Sequence, residues 1–222
     1  MFSRMELGRI AGIPIYLDMM FVLVLVIFSY PYFTTGNTQL MSVGFVIIIG
    51  LLVSILLHEL GHAFAGRLFN ANVSHIELTG LGGVAHFERS LPRSVFQRTV
   101  IFLAGPAVNL LLWWLLDLVA HAAASIAPML AFPLAVLSVS NLFLAGFNVL
   151  PAYPLDGGHT LDAWLTALLG GQWATRIVAS LGLLVAIGLA YMALPSGFFL
   201  LLVAFTIGMA NWQALQSVGR WR

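Results

Sequence analysis

Three ionisable residues within five positions of an apolar segment are the ones best suited to chemistry: His58, Glu59 and His62. On an α-helix the two histidines, four residues apart, project from nearly the same face, and Glu59 is rotated by about 100° from His58. Two neutral imidazoles in this arrangement can hold one Zn²⁺, while the adjacent carboxylate takes a proton from a zinc-activated water. The H-E-x-x-H spacing therefore predicts a zinc site with Glu59 as the general base.

Chance and surroundings both argue against an accidental grouping of polar residues. With six His and four Glu in 222 residues, random placement gives about 0.003 such matches per chain. Residues 41–57, which precede the motif, include no charged side chain. The motif is thus expected at membrane depth, where ionisable groups are costly and usually mark a functional site.

Composition identifies a membrane protein. Hydrophobic residues make up 61% of the chain and charged residues 8%, and the mean hydropathy is +1.01, which excludes a water-soluble globule. A net charge of +1, with arginines that occur singly, gives no support to nucleic-acid binding. The chain has neither Cys nor Lys, which excludes thiolate ligands, disulfides and a Ser-Lys dyad. A metal site must therefore use His, Asp or Glu.

Six apolar stretches are long enough to cross a bilayer, which requires about 20 helical residues. They lie near Ile13–Tyr32, Met41–Leu68, Val95–Ala120, Phe132–Leu150, Arg176–Leu194 and Gly197–Gln213. The first begins with residues that favour extended chain, and we interpret it as a retained span rather than a signal peptide. The pattern predicts an all-α polytopic membrane protein with six transmembrane helices and one domain covering residues 1–222.

The arginines predict the orientation of these spans. All nine basic residues lie at or beside the termini and the second-to-third and fourth-to-fifth connections, with none in 31–40, 122–131 or 194–196. Because basic residues are retained in the cytoplasm, both termini are expected there. His58 lies nine residues before Arg67, about 13 Å along a helix, so the site is expected near the cytoplasmic face.

A small β-hairpin is predicted near 72–88. Val73–Leu78 and Val84–Glu88 alternate apolar and polar residues around a glycine-rich turn, Gly80–Gly83. Residues Leu7–Tyr16 are a candidate addition to this cytoplasmic-side sheet. Two roles are equally compatible with the pattern: a free edge can pair with an extended peptide, or the sheet can simply cap the helical bundle.

A catalytic zinc usually takes a third protein ligand, and Asp156 is the strongest candidate. It follows the fourth span, where Pro151 and Pro154 end the helix and open an extended turn. A dication with the carboxylates of Asp156 and Glu59 sums to zero charge, which is the least costly state in a low-dielectric medium. The alternative makes Asp156 the N-cap of a helix over 157–169.

The other polar residues offer weaker candidates for the third ligand. His75 and His86 belong to the predicted hairpin, and His159 and Asp162 to the surface helix over 157–169.

In the third span, the small residues and proline of Ala104-Gly105-Pro106-Ala107-Val108-Asn109 favour close helix packing, with a hydrogen bond from Asn109 across helices.

Three motifs together resemble the site-2 protease family of intramembrane zinc metalloproteases. They are His58-Glu59-Leu60-Gly61-His62, the Ala104-Gly105-Pro106 segment with Asn109, and Asn148-x-x-Pro-x-x-Pro-Leu-Asp156-Gly-Gly. The resemblance implies that His58, His62 and Asp156 hold one zinc ion and that Glu59 activates water. Many members carry a PDZ domain or a tandem CBS pair, and the chain has room for neither, as expected of a minimal form.

Further residues are assigned to the surroundings of the site through the same resemblance. It implies that Asn148 and Pro151 shape or support the substrate cleft, and we place Pro154, Gly83 and Asn109 with them as substrate-binding or supporting residues.

The resemblance also implies a function and a location. The expected reaction is cleavage of a peptide bond within or next to a transmembrane segment of a membrane-tethered regulatory protein. The expected location is the cell membrane of a prokaryote, its inner membrane where there are two. The expected partners are the transmembrane substrate and the lipid bilayer, with no nucleic acid, and the oligomeric state stays open.

Two alternatives belong to other classes of protein. A transmembrane metal-ion transporter would use the same His/Asp site, but transport usually needs polar residues along a path, and this chain concentrates them at one depth. An inactive scaffold is the other alternative, and nothing favours it because both histidines and the base are intact.

Overall fold

The computed structural model describes residues 5–34, 36–80, 82–88, 91–196 and 198–219. The strands are β1 (Met5–Ile10), β2 (Ile13–Leu17), β3 (Val73–Thr79) and β4 (Gly82–Phe87), and the helices are α1 (Met19–Phe33), α2 (Thr38–Leu68), α3 (Val95–Ala123), α4 (Pro128–Asn148), α5 (Asp156–Leu169), α6 (Gly171–Ser196) and α7 (Phe198–Gly219). Some residues used in the sequence predictions lie outside the described ranges: Leu81, Gly197 and the arginines at 4, 89, 220 and 222.

The chain is mainly helical and has five helices long and apolar enough to cross a membrane within the described ranges, which confirms the predicted class of fold. They are Thr38–Leu68, Val95–Ala123, Pro128–Asn148, Gly171–Leu194 and Phe199–Val218. They correspond to the second to sixth predicted spans. The helix predicted over 157–169 is also present, as α5.

The first predicted span, Ile13–Tyr32, differs from the structure. Its first five residues form strand β2, where buried Ile13, Ile15 and Leu17 alternate with less buried positions. Helix α1 has only 15 residues, about 22 Å at 1.5 Å per residue, which is less than the thickness of a hydrocarbon core. The period-two burial of β2 and its pairing with β3 explain why the helix starts only after Asp18, whose side chain accepts a hydrogen bond from Met20 N.

The predicted hairpin is confirmed and belongs to a sheet of four strands in the order β1-β2-β3-β4. β1 and β2 are antiparallel, β2 and β3 are parallel, and β3 and β4 are antiparallel. One face of the sheet is apolar: Ile76 and Leu78 are fully buried in a cluster with Leu60 of α2 and Phe21 of α1. The sheet therefore packs directly on the helix that carries the H-E-x-x-H motif.

Helices α1 and α2 run in opposite directions, each with one end at the sheet. The first turn of α1 adjoins the sheet, since Asp18 N donates to Leu78 O at 2.9 Å. The last turn of α1 meets the start of α2, where a Cβ on Gly44 would lie 2.9 Å from Tyr32 Cβ. The far end of α2 returns to the sheet at Gly66, whose added Cβ would contact Phe87 of β4 at 2.8 Å.

The chain forms two compact units. Residues 1–91 and 104–145 form the first, and residues 92–103 and 146–222 form the second. The sheet and the motif helix belong to the first unit, and the turn that leads to Asp156 belongs to the second.

Candidate metal centre

The two histidines of the motif converge in the last third of α2. His58 and His62 are each 6% exposed, and Glu59 between them is 4% exposed. The Nε2 atoms of the histidines lie 3.1 Å apart, and one ligand atom from each of the three residues lies within 4.8 Å of the others. Two nitrogens on a tetrahedral zinc with bonds of 2.0–2.1 Å are about 3.3 Å apart. The imidazole pair thus has the spacing that one zinc ion requires.

Glycines bring α3 unusually close to this pair. A Cβ added to Gly105 would lie under 3.0 Å from Nε2 of both His58 and His62. On α2, a Cβ on Gly61 would lie 2.9 Å from the carbonyl oxygen of Ala104. The close packing predicted for the Ala104–Pro106 segment is confirmed, and the missing side chain at Gly105 leaves space beside both ligand nitrogens for an ion.

A buried chain of amides fixes which nitrogen of His58 faces that space. Asn109 Nδ2 donates to Asn141 Oδ1 at 2.7 Å, so Asn109 Oδ1 is the atom that accepts from His58 Nδ1. Asn141 Nδ2 in turn donates to Ser54 Oγ and to Leu137 O, both at 2.9 Å. With its proton on Nδ1, His58 keeps the Nε2 lone pair for a metal, which is the usual arrangement of a histidine ligand.

Sequence reasoning did not single out Asn141. It is fully buried in α4, where it orients Asn109 and links α4 to Ser54 of α2. The available signal was its residue type, because an amide in the middle of an apolar span must find a partner inside the protein.

Strand β4 lies against Glu59. A Cβ on Gly83 would come under 3.0 Å from the carboxyl group of Glu59. The preceding Gly82 has φ +130°, a backbone conformation that residues with a Cβ rarely adopt. The two glycines let the strand pass beside Glu59. The sequence analysis placed Gly83 among the substrate-binding or supporting residues, and its contact with Glu59 is seen only in the structure.

Asp156 lies in the second unit, at the first position of α5. Leu155 is the N-cap of that helix, so the alternative in which Asp156 is the N-cap is wrong. Cβ atoms on Gly157 and Gly158 would lie under 3.0 Å from the backbone carbonyls of Val149 and Ala152 respectively. The glycine pair therefore lets the first turn of α5 pack closely against the preceding segment.

Three other residues predicted around the site lie shortly before Asp156 in the chain. Helix α4 ends at Asn148, and Pro151 and Pro154 lie between it and α5. Their roles, and ligation by Asp156, stay predictions.

Asn211 of α7 clamps this turn. Its side chain accepts from Tyr153 N at 3.1 Å and donates to Tyr153 O at 2.7 Å. The Tyr153 hydroxyl donates to Asp162 at 2.7 Å, and burial, with the hydrogen bond and charge of Asp162, raises the pKa of Tyr153 above its ordinary value. His159 stacks on Phe102 with ring centroids 5.0 Å apart. His159 and Asp162, weighed as third ligands, thus hold α5 in place.

Comparison with known proteins gives consistent results. The model of peptidase family M50 matches residues 46–126. A zinc metalloprotease of Methanocaldococcus jannaschii is 35% identical over 178 residues, which cover 80% of this chain and 50% of that protein. The stage IV sporulation protein FB of Bacillus subtilis is 29% identical over 57% of this chain and 43% of its own length. The chain spans about half the length of these relatives.

A solved structure covers more of the chain. The site-2 protease from Methanocaldococcus jannaschii matches with a TM-score of 0.70 and 30% identity, over 96% of this chain and 95% of that one.

Proposed function

Because this chain belongs to the site-2 protease family, peptidase family M50, we propose that it is a zinc metalloprotease that cleaves a peptide bond within or next to a transmembrane segment. The observation that carries the proposal is the convergence of His58 and His62, with Nε2 atoms 3.1 Å apart, beside the buried carboxylate of Glu59. The substrates are membrane-tethered regulatory proteins.

The residues present fit one zinc ion. His58 and His62 would hold it through Nε2, and Asp156 is proposed as the third ligand on the grounds of charge and of its place after the broken fourth span. When bound, the metal would supply Lewis-acid polarisation of the scissile carbonyl and make water acidic enough to attack near neutral pH.

Glu59 moves the proton in this proposal. Its carboxylate takes a proton from the attacking water and later delivers it to the leaving amine nitrogen. A helical substrate hides its carbonyls in backbone hydrogen bonds, so the segment must unwind before attack. Asn148, Pro151 and Pro154 are proposed to support the unwound segment, and Asn109 and Gly83 to position His58 and Glu59.

The proposed setting is the cytoplasmic half of a prokaryotic cell membrane, the inner one where there are two. The arginine pattern supports cytoplasmic termini. Helices α1 and α2 are antiparallel: α1 begins at the sheet and α2 ends there. This arrangement supports an N-terminus on the same side as the C-terminal end of α2, where the H-E-x-x-H motif lies. Residues 1–222 are proposed to act as one domain.

The substitution Glu59→Gln tests the proposal, because it removes the base and keeps the size of the side chain. In cells that express the full chain, membrane-peptide fragments that end within or beside transmembrane segments should fall by at least about 100-fold. Bound zinc in the purified protein should be unchanged, because Glu59 is not a ligand. Glu6→Gln, an exposed carboxylate of β1, is the matched control and should cleave normally.

Cleavage that is equal in the Glu59→Gln variant would refute the role of Glu59. Chelator-resistant cleavage would refute the metal. Zinc uptake into vesicles, undiminished by Glu59→Gln and without peptide cleavage, would favour the transporter instead.

A further inference from the structure

A second group of potential ligands lies on the sheet. His75 and Glu77 are two residues apart on β3, so their side chains share one face. His86 on β4 is directly opposite His75 in the antiparallel register. Ile76, between the two β3 residues, points to the other face and packs on the helices. The three side chains therefore lie on the face of the sheet that is turned away from α1 and α2.

Their geometry is close to that of a metal site. The imidazoles of His75 and His86 are stacked, with centroids 4.4 Å apart and planes 12° from parallel. His86 Nε2 lies 3.5 Å from a carboxylate oxygen of Glu77, and one ligand atom from each residue lies within 4.8 Å of the others. Two ligand atoms on one zinc ion are about 3.3 Å apart. Rotation about the side-chain bonds can bring the ligand atoms of these three residues to that separation.

The protonation of His75 is set by its neighbour. The Ser74 hydroxyl donates its single proton to His86 O at 2.9 Å. It must therefore accept from His75 Nδ1, which lies 3.0 Å from Ser74 Oγ. This leaves the lone pair on Nε2. A histidine whose other nitrogen donates to an oxygen acceptor is the usual arrangement in metal sites.

Glu77 supplies the negative charge. It is 5% exposed, although it lies on the outer face of the sheet. Tyr16 of β2 is aligned beside it. A carboxylate this deeply buried is costly unless a positive charge compensates it. One carboxylate and two imidazoles form a ligand set that suits Zn²⁺ and related divalent transition ions.

We propose that His75, Glu77 and His86 form a second metal site, for Zn²⁺ or a similar divalent transition ion, distinct from the one on α2. An ion there cross-links β3 and β4. On its opposite face the same hairpin carries Gly83, which lies against Glu59. Occupancy of the second site thus fixes the strand that borders the general base.

Metal content of the full-length protein in detergent tests the proposal. After removal of metal and reloading with Zn²⁺, the unmodified protein should retain two zinc ions per chain, and His86→Ala should retain one. The side chain of His86 is 43% exposed, so its truncation should not disturb folding. His121→Ala is the matched control, because His121 is an exposed histidine beside one carboxylate, Asp117, and it should leave both ions bound.

Two further variants separate this site from the one on α2. The double variant His58→Ala, His62→Ala should keep one zinc ion, and adding Zn²⁺ to it should slow amide hydrogen exchange in residues 82–87. Ser74→Ala should weaken binding at the second site by about 10–100-fold. Equal zinc content in the unmodified protein and His86→Ala would overturn the proposal. Such a result would not affect the proposed protease function. The protease proposal would be contradicted if the double variant His58→Ala, His62→Ala lost no zinc.

Discussion

The imidazole of His58 is constrained on both of its nitrogens. Asn109 accepts from Nδ1, and the space beside Nε2 is bounded by the Cα of Gly105 and by His62. The first contact sets the tautomer, and the second sets the room for an ion. Substitution of Asn109 or Gly105 is therefore expected to weaken metal binding more than it destabilises the fold.

Gly105→Ala tests directly whether an ion binds beside the two histidines. The new Cβ would lie under 3.0 Å from both Nε2 atoms, so it would occupy the space for zinc, and zinc affinity at this site should fall at least 10-fold. Competition with a chelating dye measures the change. Gly188→Ala is the control, because a Cβ there meets nothing within 4 Å. Unchanged affinity in Gly105→Ala would show that the ion is not bound between the two Nε2 atoms.

The turn between α4 and α5 is held by side-chain hydrogen bonds as well as by backbone hydrogen bonds within the turn. Fully buried Asn211 satisfies both the N–H and the carbonyl of Tyr153. Gly182 of α6 permits this, since a Cβ there would lie under 3.0 Å from the Asn211 amide. Helices α6 and α7 thus hold in place the segment that leads to Asp156.

Asn211→Ala should therefore destabilise the protein. The substitution removes two hydrogen bonds to the part-buried backbone N–H and carbonyl of Tyr153, which together contribute about 1–3 kcal/mol. Reversible denaturation in mixed micelles measures this loss. Gln213→Ala, an exposed amide on the same helix, should stay within about 0.5 kcal/mol of the unmodified protein. Equal stability of the two variants would show that the hydrogen bonds between Asn211 and Tyr153 do not stabilise the protein.

The surface of the whole molecule is that of a protein immersed in lipid. Large apolar side chains are exposed on the long helices, for example Leu184 and Ile187 at 64% and 65% on α6 and Phe205 at 65% on α7. In water such a surface would drive aggregation. In lipid it is the expected exterior, and polar residues such as Asn109 and Asn141 are instead buried in the protein.

Cysteine labelling tests the proposed orientation, because the natural chain has no Cys. Asn72→Cys, beside the sheet, should react with a membrane-impermeant maleimide only after the cells are permeabilised. Ser125→Cys, in the connection between α3 and α4, should react in intact cells. Both positions are exposed. The opposite labelling pattern would invert the proposed orientation.

The sequence predicted the helices, the hairpin and the ligand pair because each depends on local periodicity or spacing. It was wrong to count Ile13–Tyr32 as a span, because α1 has only 15 residues. The extended start of this segment and its addition to the sheet were predicted, and residues 13–17 do pair with β3. Sequence reasoning also gave no role to Asn141 and Asn211, whose partners lie 32 and 58 residues away. Local patterns do not encode such distances.

By itself the sequence determined that this is a membrane protein with a histidine pair and a carboxylate on one helix, because helical spacing alone puts His58 and His62 on one face. Only the tertiary structure decided which nitrogen of His58 is available to a metal and which strand borders Glu59. It also decided that His75 and His86 face each other across two strands. These features arise when segments far apart in the chain meet, and long-range packing rather than residue spacing fixes those contacts.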